Sequence, residues 1–182
     1  MTKNDDTELV NACRNGSREA FDELVRRYQG PVYNLALRIL GNVDDAMDAT
    51  QTTFLNAYRR LDSFDATRRF FNWLYSIAVH EALDVRARRG RATEVPVGDE
   101  LSSPAANPEV ELAGKDSERR LLRALRGLSA EERALVALRH FQGLSYAEIA
   151  ETMSLSIELV RSRLFSARQR LRRTLDRQVG GA

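Results

Sequence analysis

Seven arginines, Arg161, Arg163, Arg168, Arg170, Arg172, Arg173 and Arg177, share one stretch with Asp176 as their only acid. A row of cations that dense suits a phosphate backbone. Ser162 and Phe165 lie among them: a hydroxyl can meet a base edge and an aromatic ring a thymine methyl. Phe165 falls on the polar side of the helical wheel, where an aromatic is costly unless it meets a partner. A solvated basic helix face is the plain alternative. The position of Phe165, the scarcity of acids, and Arg161 and Ser162 near the helix start favour DNA.

A second cluster is aromatic. Phe70, Phe71, Trp73 and Tyr75 fall within six residues, after Phe64 in a polar loop and before Arg86, Arg88, Arg89 and Arg91. Rings for unstacked bases beside cations for phosphates suit single-stranded DNA. Trp73 shares the Phe70/Ile77 face and reads as core, whereas Phe64 reads as functional. The densest carboxylates, Asp44, Asp45 and Asp48, open a helix with no histidine or cysteine close in sequence. They complement its positive end rather than form an acid–base or metal site.

These residues need helices to hold them. Ser145 and Glu148 form a capping box, with Leu144 and Ile149 as its hydrophobic staple. A short helix starts at Tyr146 and breaks at Ser154–Leu155–Ser156. Ser156 caps the next one, where Val160, Leu164, Ala167, Leu171 and Leu175 recur at helical spacing. Two helices, a tight turn and a basic outer face make a helix-turn-helix. Upstream, a helix over Thr7–Arg14 ends at Asn15–Gly16 and Ser17 caps the next. Gly30–Pro31 reads as a stop and a new start. Asn42 or Asp44 opens the acidic helix, and a long helix runs from about Arg68 to Arg89. Ser129 and Glu132 cap the helix carrying Leu135, Val136 and Leu138.

Three of the four prolines and an acidic excess fall within residues 92–117, which read as a flexible linker between a domain over 1–91 and one over 118–182. With no long alternating strand pattern, the expected fold is all-α, two small helical domains. The net charge of +2 means that the basic surface is local. Cys13, the single cysteine, excludes an internal disulfide and reads as a small buried residue rather than a redox sensor. No apolar run approaches a membrane span, and the polar start is no signal peptide. No metal or cofactor is expected.

The pattern as a whole resembles the extracytoplasmic-function sigma factors of the sigma-70 family. The resemblance rests on NGSREAFDELVRRY, DDAMDATQTTFLNAYRRLDSF and FNWLYSIAVHEALDVRARR in the first domain, and on GLSAEERALVALRHFQGLSYAEIAETM and VRSRLFSARQRLR in the second. It implies a non-enzymatic subunit that binds core RNA polymerase and promoter DNA in the cytoplasm, controlled by an anti-sigma factor. The first domain would read and melt the minus-ten element and the second read the minus-thirty-five element. By the same resemblance Asp45, Asp48, Gln51 and Phe54 contact polymerase, and Phe64, Asn72, Tyr75, His80 and Arg86 belong to the minus-ten face. Arg161, Ser162, Arg163, Phe165 and Arg168 belong to the recognition helix. The sequence departs from the family pattern at Met47 and Thr52, which remove charge from the polymerase face, at His80 in place of asparagine, and at Glu158. A stand-alone helix-turn-helix regulator that binds duplex DNA without polymerase is the competing reading.

Overall fold

The computed structural model describes residues 3–92 and 122–179. Four helices form the first half: α1 (Lys3–Arg14), α2 (Arg18–Leu40), α3 (Val43–Arg59) and α4 (Phe70–Ala92), with a short 3-10 turn at Leu61–Ser63. The second half holds a helical segment at 122–126 (α5), then α6 (Ala130–His140), α7 (Tyr146–Met153) and α8 (Ile157–Val179). No strand occurs among the described residues. The linker expected over 92–117 lies, apart from Ala92, outside them.

Local chemistry sets the helix starts. The Ser17 hydroxyl accepts from the Ala20 amide, and the Asn42 side chain from the Asp45 amide. Both capping boxes are closed. The Ser129 and Glu132 bonds measure 2.9 and 3.1 Å, and those of Ser145 and Glu148 measure 2.8 and 3.2 Å. Gly41 ends α2 at φ 70°, where a Cβ would be strained.

One expected boundary does not exist. Helix α2 runs through Gly30–Pro31 without stopping. Pro31 removes one donor from the ladder, but Leu24, Tyr28, Val32, Leu35 and Ile39 stay on one buried face across it. Keeping that face continuous outweighs one missing hydrogen bond.

Helix α1 is pinned by an unforeseen group. Asp6, 7% exposed, accepts from the Tyr28 hydroxyl at 2.5 Å and pairs with Arg27 at 2.9 Å. Burial and the bond to Asp6 drive the Tyr28 phenol well above its usual range.

The two halves are not separate. Buried apolar side chains from Val10 to Ala167 form one contiguous cluster. Helix α2 packs on α6, and α4 packs on both α6 and α7. Residues 132–138 of α6 are all buried, as expected of a helix covered on every side.

Candidate nucleic-acid interface

Helix α8 keeps the expected apolar stripe over its first half, while Leu171 is half-buried and Leu175 is exposed at its far end. Val160, Leu164 and Ala167 are completely buried, and the Ser156 hydroxyl accepts from the Leu159 amide at the start of α8. The preceding turn depends on Ser154, in the left-handed region at φ 55°, ψ 44°. On the outer face Phe165 is 64% exposed, with Arg161, Ser162 and Arg168 also exposed. Arg168 donates to His140 Nε2 at 3.2 Å and to the Tyr146 hydroxyl at 3.4 Å. Burial, then the charges of Arg168 and Arg139, push the His140 imidazole below its usual value. The neutral ring is therefore the form that accepts from Arg168.

Arg163 is placed differently from the other four. It pairs with Glu131 of α6 at 2.5 Å, and Arg170 pairs with Glu132 at 3.0 Å. Acids are scarce on α8 itself, and the partners of these two arginines come from α6. Sequence distance concealed this neutralisation.

Phe64 requires the largest correction. Its polar loop and functional reading imply an accessible ring, yet it is 3% exposed. Its ring lies 5.6 Å from that of Phe70 and 5.3 Å from that of Trp73. The loop is polar only in its neighbours, and burial against two aromatic rings is the stronger preference. Its shape is fixed by Arg14, whose guanidinium donates to the carbonyls of Leu61 at 2.9 Å, Asp62 at 3.1 Å and Phe64 at 2.5 Å.

On α4, Tyr75 is 5% exposed and donates to Gln142 Oε1 at 2.7 Å. Burial pushes its phenol up to about 12. Asn72 donates from Nδ2 to Glu148 Oε1 at 3.1 Å, while its Oδ1 is buried without a partner. His80 is exposed, with Nδ1 at 2.6 Å from the Ser76 carbonyl. A carbonyl only accepts, so Nδ1 carries a proton. Arg86 is exposed further along. The structure thus turns His80 and Arg86 to solvent and Asn72 and Tyr75 toward the second half. A signal for this was present. Tyr75 and Val79 carry the apolar arc of α4 beyond the face set by Phe70, Leu74 and Ile77, as a helix with a further neighbour requires.

The four acidic-helix candidates also divide. Asp48 and Gln51 are exposed. Asp45 faces inward, paired with Arg89 at 2.7 Å; burial raises its carboxyl pKa more than Arg89 lowers it. Phe54 lines an open groove of about 490 Å³ with Phe21, Val25, Gln51, Leu55 and Tyr58. Leu55 is 58% and Tyr58 55% exposed. The sequence reading missed both, although Met47, Gln51, Leu55 and Tyr58 recur at helical spacing off the core face.

Comparison with known proteins completes the picture. Residues 24–92 match the model for Sigma-70 region 2, and residues 118–171 that for Sigma-70, region 4. The RNA polymerase sigma-H factor of Pseudomonas aeruginosa is 32% identical, covering 97% of this chain and 96% of that protein. The ECF RNA polymerase sigma-E factor of Haemophilus influenzae is 35% identical, covering 90% and 92%. Among solved structures, CnrH in complex with the cytosolic domain of CnrY superposes with TM-score 0.70 at 29% identity, covering 94% of this chain and 97% of that one. The sigma factor RpoE of Bartonella quintana, in complex with the anti-sigma factor NepR, gives 0.72 at 26% identity, covering 86% and 96%.

A helix-turn-helix joined to a second helical module, matched across nearly its whole length, defines a specificity subunit for transcription and not an enzyme. The chain belongs to the sigma-70 family, in its extracytoplasmic-function group.

Proposed function

We propose that this chain joins core RNA polymerase in the cytoplasm and directs it to promoters through two DNA contacts. The observation that carries this reading is the similarity to sigma factors over both halves together. Residues 1–91 act at the minus-ten element and 118–182 at the minus-thirty-five element. Arg161, Ser162 and Phe165 meet base edges and Arg168 a phosphate, while Arg163 holds α8 on α6. In the first module Asn72, Tyr75, His80 and Arg86 line the path of the melted strand, and Phe64 shapes the adjoining loop.

Core polymerase docks on the groove beside Phe54, with Gln51 in its lining and the exposed Asp48 one helical turn before it; Asp45 orients α3 through Arg89. An apolar groove rimmed by polar groups is what a partner helix requires. An anti-sigma factor competes for the same module; the similar RpoE of Bartonella quintana was solved in complex with the anti-sigma factor NepR.

Run-off transcription with purified core polymerase tests the reading, on templates that include the region upstream of this chain's own coding sequence. Promoter-specific transcripts that require the chain are expected. Tight duplex binding by the chain alone, with no transcript, would instead establish a stand-alone regulator.

A further inference from the structure

Three arginines of α8 meet side chains of the preceding helices, and they do so in two chemically different ways. Arg163 and Arg170 pair with the carboxylates of Glu131 and Glu132. A carboxylate orients a guanidinium but cancels its charge, so a phosphate gains little from it. Arg168 instead donates from Nε to His140 Nε2 at 3.2 Å and from Nη2 to the Tyr146 hydroxyl at 3.4 Å. Both acceptors are uncharged, so the cation is oriented with its charge kept. They occupy the Nε–Nη2 side of the planar fork and leave the Nη1 end for a phosphate. Arg161, Phe165 and Arg168 fall at i, i+4 and i+7, one stripe of the outer face, and the oriented cation closes the end of that row.

The support is itself held. His140 ends α6 and Tyr146 opens α7, so the two acceptors stand on either side of the α6–α7 turn. Arg139 lies over the Tyr146 ring at 5.1 Å and donates to the Leu144 carbonyl at 2.8 Å. The charges acting on the imidazole are Arg168 from α8 and Arg139 from its own helix, and Tyr146 of α7 is the third titratable group at the contact. Both charges are positive and the ring is partly desolvated, so every influence favours its neutral form. From this arrangement we infer that His140, with Tyr146, is a positioning residue for promoter recognition: its ring nitrogen holds the Arg168 guanidinium in the orientation in which it meets a DNA phosphate. The inference rests on the proposed role of α8. An unheld arginine gives up its rotamer freedom when it binds, and one held beforehand gives up less. A proton on Nε2 removes the acceptor and sets a second cation against the first.

Two measurements test this, one on the full chain and one on polymerase reconstituted with it. Nitrogen-15 spectra of the histidine rings need no DNA. They are expected to show His140 as the Nδ1–H tautomer, titrating below 6.5, and Arg168→Ala should raise that value. Binding of the reconstituted polymerase to fragments that give transcripts in the run-off assay reads the role. His140→Ala should weaken that binding about twofold to tenfold and lower its salt slope. In an Arg168→Ala background the same change should have no effect. His140→Gln keeps an acceptor and does not titrate, so it should match wild type near about pH 8 and exceed it near about pH 5. A His140 titration indifferent to Arg168→Ala overturns the inference. So do additive losses in the two alanine variants, or a wild type that gains on His140→Gln as pH falls. Transcripts together with additive losses sink the positioning role alone. No transcript from any template, with the ring spectra as expected, brings down the proposed function and the positioning role with it.

Discussion

The guanidinium of Arg133 lies against the end of α2, bonding the Ile39 carbonyl at 2.8 Å and the Leu128 carbonyl at 3.1 Å. Both are main-chain acceptors, and one belongs to the other half of the protein. Burial lowers the pKa of this arginine, but it does not approach a range where the group loses its proton. Replacing it with leucine strands two carbonyls and removes a buried charge. The expected loss is about 1–3 kcal/mol of stability, read from urea denaturation.

Phe165 and Arg161 separate stability from recognition. Phe165→Ala should leave the folding stability within the change typical of a surface site, about 0.5 kcal/mol. Promoter binding by the reconstituted polymerase should weaken by about 1 kcal/mol or more. Arg161→Ala, which removes a base-edge contact, should weaken binding by about 1–3 kcal/mol and relax the sequence preference, whereas Arg168→Ala should lower the salt slope by about 1. Filter binding across a salt series distinguishes the two.

The Ser145 cap gives a sharp local test. Ser145→Ala should cost about 0.5–2 kcal/mol, whereas Ser145→Gly should cost only a few tenths. A thermal denaturation series would show this order. An alanine variant as stable as wild type would mean that α7 is held by packing alone.

Acid should act through Glu148. Burial raises its pKa, but the Ser145 amide, the Asn72 amide, the Ser145 hydroxyl and the Arg69 charge together outweigh it and hold the carboxyl below 4.5. A carboxyl lowered on folding adds stability that is complete above its unfolded value and disappears as pH falls through its folded one. Wild type should therefore exceed Glu148→Gln in stability at pH 7, and the gap should close below about pH 4.5. Parallel denaturant titrations at several pH values measure it.

What the sequence revealed was chiefly local. The caps at Ser17, Asn42, Ser129 and Ser145 each act within a few residues; three were readable from spacing, and Asn42 was one of two candidates with Asp44. The buried stripe of α8 and the break before it were equally plain. The errors share a cause in tertiary contact. Pro31 sits in a continuous helix because the face around it is buried. Phe64 leaves its polar loop for Phe70 and Trp73. Arg163 finds Glu131 across 32 residues, and Tyr75 finds Gln142 across 67. Residue types identified which groups could meet DNA, but not which of them are engaged elsewhere.

Arg14, finally, ties the first helix to a loop nearly fifty residues away. A missense change at Arg14 would therefore free three carbonyls of that distant loop at once and loosen its shape, although the altered residue lies in a different helix.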